Sequence, residues 1–192
     1  AASSGFTLDA DPAESYAGVV VAVAPQHAAA LLASWPTLAR LRAEIDALEY
    51  EPIYTCYLQY DRATLPFPML GLRGAMTQWL FDRGRLGGPP HLLAAVVSAS
   101  GAHETLDHET LAARIDAEVR ARVADVGALQ WSRVVAERRA TFRCSPDLAR
   151  PANATPVTNL VLAGDYTASD YPATLEAAVR SGVAAAGLLG GM

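Results

Sequence analysis

The chain has 192 residues, of which 52% are hydrophobic and 18% are charged. That much apolar surface supports a buried core, so the composition excludes intrinsic disorder. The net charge of -5 is spread along the chain without a block of like charges, which excludes a nucleic-acid groove. All 15 basic residues are arginine, because the sequence contains no lysine, and this excludes Schiff-base and P-loop lysine chemistries.

Cysteine and histidine are too sparse for a disulfide framework or a metal centre. The cysteines are Cys56 and Cys144, and no Cys or His lies at the spacing of a zinc site. No apolar stretch reaches the ~18 to 20 residues of a membrane-spanning helix. We expect a cytoplasmic protein without a metal or a nucleic-acid partner, and peripheral contact with the inner membrane is compatible with this. Without an initiator Met or a readable signal peptide, the sequence is expected to begin inside a longer protein.

The first part of the chain is predicted to contain short strands and helices. Residues 5–11 are predicted as a short strand, and the apolar β-branched run 18–23 is typical of a strand buried on both faces. Alanine-rich residues 26–33 favour a helix, and a second helix is predicted to begin at Pro36. The buried stripe of the second helix is predicted to be Leu38, Leu41, Ile45 and Leu48.

After Glu49 the apolar side chains recur at every second position, which predicts the strands of a sheet. Alternating side chains indicate a long strand up to Tyr60, and the prolines near residue 67 interrupt the ladder. Further strands are predicted near 69–72, 77–81 and 91–99, with a turn over 84–90. Aromatic side chains on such strands are more typical of a core than of a binding site. The aromatic residues concerned are Tyr54, Tyr57, Trp79 and Phe81.

One longer helix and one long strand complete this region. Asp107 is predicted to cap a helix that lies across the sheet, because apolar residues recur every four positions after it: Leu111, Ile115, Val119 and Val123. Residues 129–142 indicate one strand or two, and the three prolines in 144–156 indicate a connector. We therefore predict an α+β fold with an antiparallel or mixed sheet, flanking helices, and α/β elements at the termini.

The most informative stretch is 159–182, NLVLAGDYTASDYPATLEAAVRSG. It predicts a buried strand, a glycine, an acid, a loop and a helix. Gly164 permits close approach of the backbone to a ligand, and Asp165 can accept hydrogen bonds from sugar or ribityl hydroxyls. The helix, beginning near Thr174, presents free N–H groups and the positive end of its dipole. From the pattern alone, an ordinary strand-to-helix turn with Asp165 as a cap is an equally good interpretation.

This stretch resembles the C-terminal FAD-binding signature of the flavin amine oxidase and phytoene desaturase superfamily. Residues 19–25, 65–72, 78–84 and 131–142 resemble the squalene-associated FAD-dependent desaturases of hopanoid synthesis. The resemblance implies FAD as cofactor, a polyisoprenoid lipid as substrate, and reductive dehydroxylation of hydroxysqualene to squalene. It implies seven cofactor-binding residues: Gly164, Asp165, Tyr166, Pro172, Ala173, Thr174 and Leu175. An apolar substrate tunnel would be lined by Tyr54, Tyr57, Trp79 and Phe81, and no catalytic residue is assigned.

One motif of the family is missing from this sequence. Members open with a Gly-x-Gly-x-x-Gly motif that cradles the ADP pyrophosphate, and no such motif occurs here. The resemblance therefore implies the C-terminal part of a longer enzyme, which in isolation lacks activity and holds FAD weakly or not at all. We expect partial FAD-domain strands with a connecting helix in 1–35, a substrate-binding domain in 36–155, and the last strand and helix of a Rossmann-like FAD domain in 156–192.

Two other functions remain open at this point. A carotenoid-type (phytoene) desaturase or an amine oxidase shares the cofactor motif and differs in substrate or in the direction of electron flow. A non-catalytic lipid-binding module belongs to another class, and the missing nucleotide motif favours it.

Overall fold

The computed structural model describes residues 5–9 and 11–190. The strands are β1 (Phe6–Leu8), β2 (Asp11–Tyr16), β3 (Val19–Val21), β4 (Tyr50–Tyr60), β5 (Met69–Gly71), β6 (Trp79–Asp82), β7 (Leu92–Ser98), β8 (Leu129–Phe142) and β9 (Leu160–Leu162). The α-helices are α1 (Pro25–Leu31), α2 (Ala39–Asp46), α3 (His108–Arg122) and α4 (Leu175–Gly190). Short 3-10 turns cover Leu32–Ser34, Pro36–Leu38 and Ala102–Thr105.

The chain forms two compact units whose boundaries differ from the sequence-based domain limits. The first unit contains the described residues up to Glu49 and those from Phe142 onward, and the second unit spans Tyr50–Thr141. Helix α2 belongs with the first unit because it packs on α1, where Arg42 Nε donates to the Ala29 carbonyl at 3.1 Å. The connector before β9 belongs there too, because the Leu162 amide donates to the Asn153 carbonyl at 2.8 Å.

The first unit is built around a parallel strand pair. Strand β3 pairs in parallel with β9, so that Val20 lies opposite Val161. Helix α4 covers β9 through Ala185, which is fully buried against Val161 and Ala163. Strands β1 and β2 form an antiparallel hairpin. Parallel strands normally bury both faces, yet the Val20 side chain is 41% exposed, so the prediction of a strand buried on both faces is wrong at this position.

The second unit is a five-stranded sheet in the order β5-β6-β7-β4-β8 with α3 on one face. The β4–β7, β6–β7 and β5–β6 pairs are antiparallel. The Asp107 carboxylate accepts a hydrogen bond from the Thr110 amide at 2.8 Å, which confirms the predicted cap. The buried face of α3 is the predicted one: Leu111, Ile115 and Val119 are fully buried. The α+β class, with parallel strands near the termini, is confirmed.

Candidate functional site

Strand β9 leads into a tight turn at Gly164 and Asp165. Gly164 has a φ of 157°, and a Cβ atom there would lie 2.5 Å from Cε1 of Tyr166. The Tyr166 ring is fully buried, so it leaves no room for a side chain at position 164. This packing requires glycine after the end of the strand, because only glycine leaves room for the ring.

The Ser181 hydroxyl ties this turn to helix α4. Its oxygen accepts hydrogen bonds from the Gly164 amide at 2.9 Å and from Asn153 Nδ2 at 2.8 Å. The Thr167 hydroxyl lies 2.7 Å away and donates its own hydrogen to the Gly164 carbonyl at 3.0 Å, so Ser181 donates to Thr167. One buried hydroxyl therefore uses all its hydrogen-bonding capacity to fix the strand, the loop and the helix together.

Asp165 is half-buried at the first position after this glycine. Burial raises the pKa of its carboxyl group, although the amides of Tyr166 and Asp165 and the nearby charge of Arg150 act in the opposite direction. A partly desolvated carboxylate gains from additional hydrogen-bond donors. Hydroxyl groups of a ligand would be suitable donors.

The N-terminus of α4 lies at the other end of the same loop. The Thr174 hydroxyl accepts a hydrogen bond from the Ala177 amide at 3.2 Å and so caps the helix. Within the described part of the chain, the amides of Leu175 and Glu176 have no acceptor. The Leu175 side chain is 87% exposed, and Pro172 and Ala173 lead into the helix. These free amides, with the helix dipole, favour an electron-rich ligand atom.

Arg150 is a residue of this site that the sequence analysis did not single out. Its guanidinium donates to the carbonyls of Asp165 at 3.3 Å, of Tyr171 at 2.9 Å, and of Ser169. It also lies over the Phe142 ring, 5.5 Å from the centroid. A cavity of about 360 Å³ borders Phe142, Arg150 and Tyr171. No periodic pattern marks Arg150, because it lies in the irregular connector before β9.

In the second unit, the structure brings three of the four predicted substrate residues onto one sheet face. Tyr57 lies opposite Ala94, which lies opposite Phe81, and Phe81 lies opposite Met69. We call Tyr57, Phe81, Met69 and the adjacent Trp79 the aromatic row. Trp79 is 43% exposed and its ring lies over Gly71, where a Cβ atom would be 3.2 Å from Cζ3. The aromatic row is apolar and only partly covered, and it lies beside Thr55 and Gln59 on the same face of β4.

Tyr54 does not join the aromatic row. It is 3% exposed and belongs to the core on the α3 face of the sheet, because side chains alternate along β4. Its ring contacts that of His103 edge to face, with centroids 4.9 Å apart. The structure therefore gives Tyr54 a packing role.

Two absences concern the described residues only. Among residues 5–9 and 11–190, no group of three or more His, Cys, Asp or Glu side chains is placed to hold a metal ion. Within the same residues, no helix has the length and apolar character needed to cross a bilayer.

The family model described as "Flavin containing amine oxidoreductase" matches residues 3–189. The chain is 34% identical over 172 residues to a hydroxysqualene dehydroxylase of Sinorhizobium fredii; this match covers 88% of the chain and 38% of that protein. It is also 35% identical over 104 residues to a zeta-carotene desaturase of Synechocystis sp., covering 52% of the chain and 21% of that protein. The chain thus spans well under half the length of these relatives.

Solved structures share the fold at low sequence identity. An oxidoreductase from Methanosarcina mazei superposes with a TM-score of 0.67 and 12% identity, and the match covers 94% of this chain and 44% of that one. This likeness supports the fold described above.

Proposed function

Because the chain belongs to the flavin-containing amine oxidoreductase family, we propose that it is the C-terminal part of an FAD-dependent oxidoreductase that reduces hydroxysqualene to squalene. The observation that carries the proposal is the Gly164–Asp165 turn joined by one loop to the open N-terminus of α4, in a chain 34% identical to a hydroxysqualene dehydroxylase over 88% of its length. The turn supports FAD as the cofactor, and the similarity to a hydroxysqualene dehydroxylase supports hydroxysqualene as the substrate.

The residues at the turn fit FAD. The half-buried Asp165 carboxylate would accept hydrogen bonds from hydroxyls of the ribityl-pyrophosphate part. The amides of Leu175 and Glu176 at the start of α4 would donate to the pyrimidine edge and stabilise negative charge there. When bound, FAD supplies the two-electron redox chemistry of the reaction.

The reaction requires an apolar environment more than it requires a particular acid or base of this chain. Hydroxysqualene gains two electrons and two protons; its C–O bond breaks, a C–H bond forms, and water leaves. We assign to the aromatic row the contact with the isoprenoid chain, because Tyr57, Trp79 and Phe81 present an apolar, partly covered face. A water-insoluble substrate also supports peripheral contact of the enzyme with a membrane.

The test uses the full-length protein that contains this chain. Purified protein is supplied with FAD and a chemical reductant without oxygen, and with hydroxysqualene or phytoene in parallel. We expect squalene from hydroxysqualene and no product from phytoene under these conditions. A yield of squalene that depends on the reductant and is absent when FAD is left out would distinguish the enzymatic reaction from solvolysis of the alcohol.

The match to a zeta-carotene desaturase favours one alternative, a carotenoid-type desaturase. That reaction runs in the oxidative direction, so phytoene or a related polyene would lose hydrogen with oxidised FAD and hydroxysqualene would remain unchanged. Protein that binds squalene but no FAD would instead indicate the non-catalytic lipid-binding module.

A further inference from the structure

Arg150 makes an unusual set of contacts for a residue in an irregular connector. One terminal nitrogen donates to the carbonyls of Asp165 at 3.3 Å and Tyr171 at 2.9 Å, and the other donates to the carbonyl of Ser169. All three acceptors belong to the single loop between β9 and α4. The side chain is half-buried, and its guanidinium lies over the nearly fully buried ring of Phe142.

This loop has no regular structure: the Gly164 carbonyl accepts hydrogen bonds from the Thr167 amide and hydroxyl within the loop, whereas the carbonyls of Asp165, Ser169 and Tyr171 accept from Arg150 outside it. The guanidinium suits three acceptors because it is planar, always charged, and carries several donors in a fixed fork. The Pro151 carbonyl adds a fourth link by accepting a hydrogen bond from the Ala168 amide at 2.8 Å. Residues 150 and 151 therefore hold the loop at its beginning, middle and end.

The two ends of the loop are the two parts of the proposed cofactor site. Asp165 stands at one end, and Tyr171 leads through Pro172 into the N-terminus of α4 at the other. Arg150 contacts both ends with one nitrogen atom. On the basis of the proposed function, we propose that Arg150 is a positioning residue that holds Asp165 and the α4 N-terminus at the separation FAD requires before the cofactor binds.

Arg150 acts here through the loop and has no assigned contact with the reacting atoms. Preorganisation of this kind raises affinity because the loop loses less conformational freedom on binding. Lysine would keep the charge but not the planar fork, so it would retain only part of the effect.

The experiment compares Arg150→Met, Arg150→Lys and Arg120→Met in the full-length protein. Arg120 is a matched control in the second unit: it lies over the Tyr60 ring at the same 5.5 Å and donates to Asp116 at 2.9 Å. Three quantities are measured: the FAD dissociation constant, the visible circular dichroism of bound FAD, and hydrogen exchange of peptides covering 165–172 without FAD.

We expect Arg150→Met to raise the dissociation constant at least tenfold and to speed exchange in 165–172, with other peptides unchanged. Arg150→Lys should recover part of the affinity and a visible spectrum close to that of the wild type, and Arg120→Met should change none of the three quantities. If Arg150→Met does not fold, the same comparison rests on Arg150→Lys, for which we expect an intermediate dissociation constant and intermediate exchange.

Two failures are distinguishable. A folded Arg150 variant with faster loop exchange but unchanged FAD affinity would show that the clamp is only structural and would overturn the positioning role alone. A wild-type protein that does not bind FAD would overturn the proposed function together with this inference.

Discussion

The hydroxyl oxygen of Ser181 accepts a hydrogen bond from the amide of Gly164 at 2.9 Å, although 17 residues separate the two in sequence. This bond joins the end of β9 to the second turn of α4. Because Ser181 also bonds Asn153 and Thr167, it determines the position of the turn relative to the helix.

Replacing Ser181 with alanine should therefore destabilise the protein. The change leaves the Gly164 amide without its acceptor, whereas Asn153 Nδ2 and the Thr167 hydroxyl keep their hydrogen bonds to the carbonyls of Leu162 and Gly164. Because an unsatisfied buried polar group costs about 1 to 3 kcal/mol, we expect a loss of that size in the free energy of unfolding, measured by urea denaturation. Ser132→Ala, at an exposed position of β8, is the control and should be close to neutral. Equal stability of the two variants would contradict this role of Ser181.

Asp165→Asn should stabilise the FAD-free protein at pH 7 and weaken FAD binding. Burial raises the Asp165 pKa, so the folded state favours the protonated form, and stability falls as pH rises above the ordinary value for Asp. The stability gained by Asp165→Asn relative to wild type should therefore shrink as the pH is lowered below the ordinary pKa of Asp. Melting temperatures measured between pH 3 and pH 7 check the sign, with the exposed Asp170→Asn as control.

The same substitution tests the cofactor contact. A hydrogen bond to a charged group contributes about 1.5 to 3 kcal/mol, so Asp165→Ala in the full-length protein should weaken FAD by roughly that amount. Flavin titration of the two Asp165 variants gives the result. An unchanged affinity would leave Asp165 as a turn residue only.

Glu118 should contribute stability that is lost in acid. Burial opposes its ionisation, yet the amides of Thr77 and Met76, the Thr77 hydroxyl and Arg122 together lower its pKa. Its carboxylate accepts hydrogen bonds from those amides at 2.9 Å and 2.8 Å. Its contribution is therefore present above the ordinary Glu pKa and disappears as pH falls through the lowered value. Glu118→Gln should lower stability at pH 7 by about 1 to 3 kcal/mol, with little difference from wild type at the lowest pH.

A matched variant on the same helix separates this effect from the general loss of a charge. Glu109 is exposed in the first turn of α3, and Glu109→Gln should show a much smaller change at pH 7. If the free energy of unfolding changed equally with pH in the two variants, the role given to Glu118 would be refuted.

Truncation of Tyr54 should mainly lower stability, whereas truncation of Trp79 should mainly weaken substrate binding. Tyr54→Ala removes a buried core ring and should cost about 3 to 5 kcal/mol of stability, whereas Trp79 is half-exposed on the aromatic row and its loss should cost much less. In the full-length enzyme, Trp79→Ala should raise the KM for hydroxysqualene while leaving the melting temperature nearly unchanged. Unchanged kinetics for Trp79→Ala would remove the aromatic row from the substrate site.

The 192-residue chain alone should carry little FAD, because its sequence has no Gly-x-Gly-x-x-Gly motif for the pyrophosphate. Gel filtration after incubation with FAD, followed by the ratio of flavin to protein absorbance, gives the answer. A yellow protein with one flavin per chain would contradict this expectation.

The sequence by itself determined features that depend on local periodicity and on short motifs. The apolar repeat of α3 with its Asp107 cap, the alternation along β4, and the strand, glycine, acid and helix of 159–182 are all encoded by neighbouring residues. Local backbone preferences and the burial of one face are enough to specify such elements.

Tertiary structure decided which distant residues meet. Tyr54 and Tyr57 have the same residue type on one strand, and only the placement of α3 shows which of them is core. Arg150 and Ser181 carry no local signal, because their side-chain hydrogen-bond partners lie 14 or more residues away in sequence. The limits of the two compact units differ from the sequence-based domain limits for the same reason. The packing of α2 on α1 and of the connector along β9 depends on contacts between segments, and no pattern within either segment indicates those contacts.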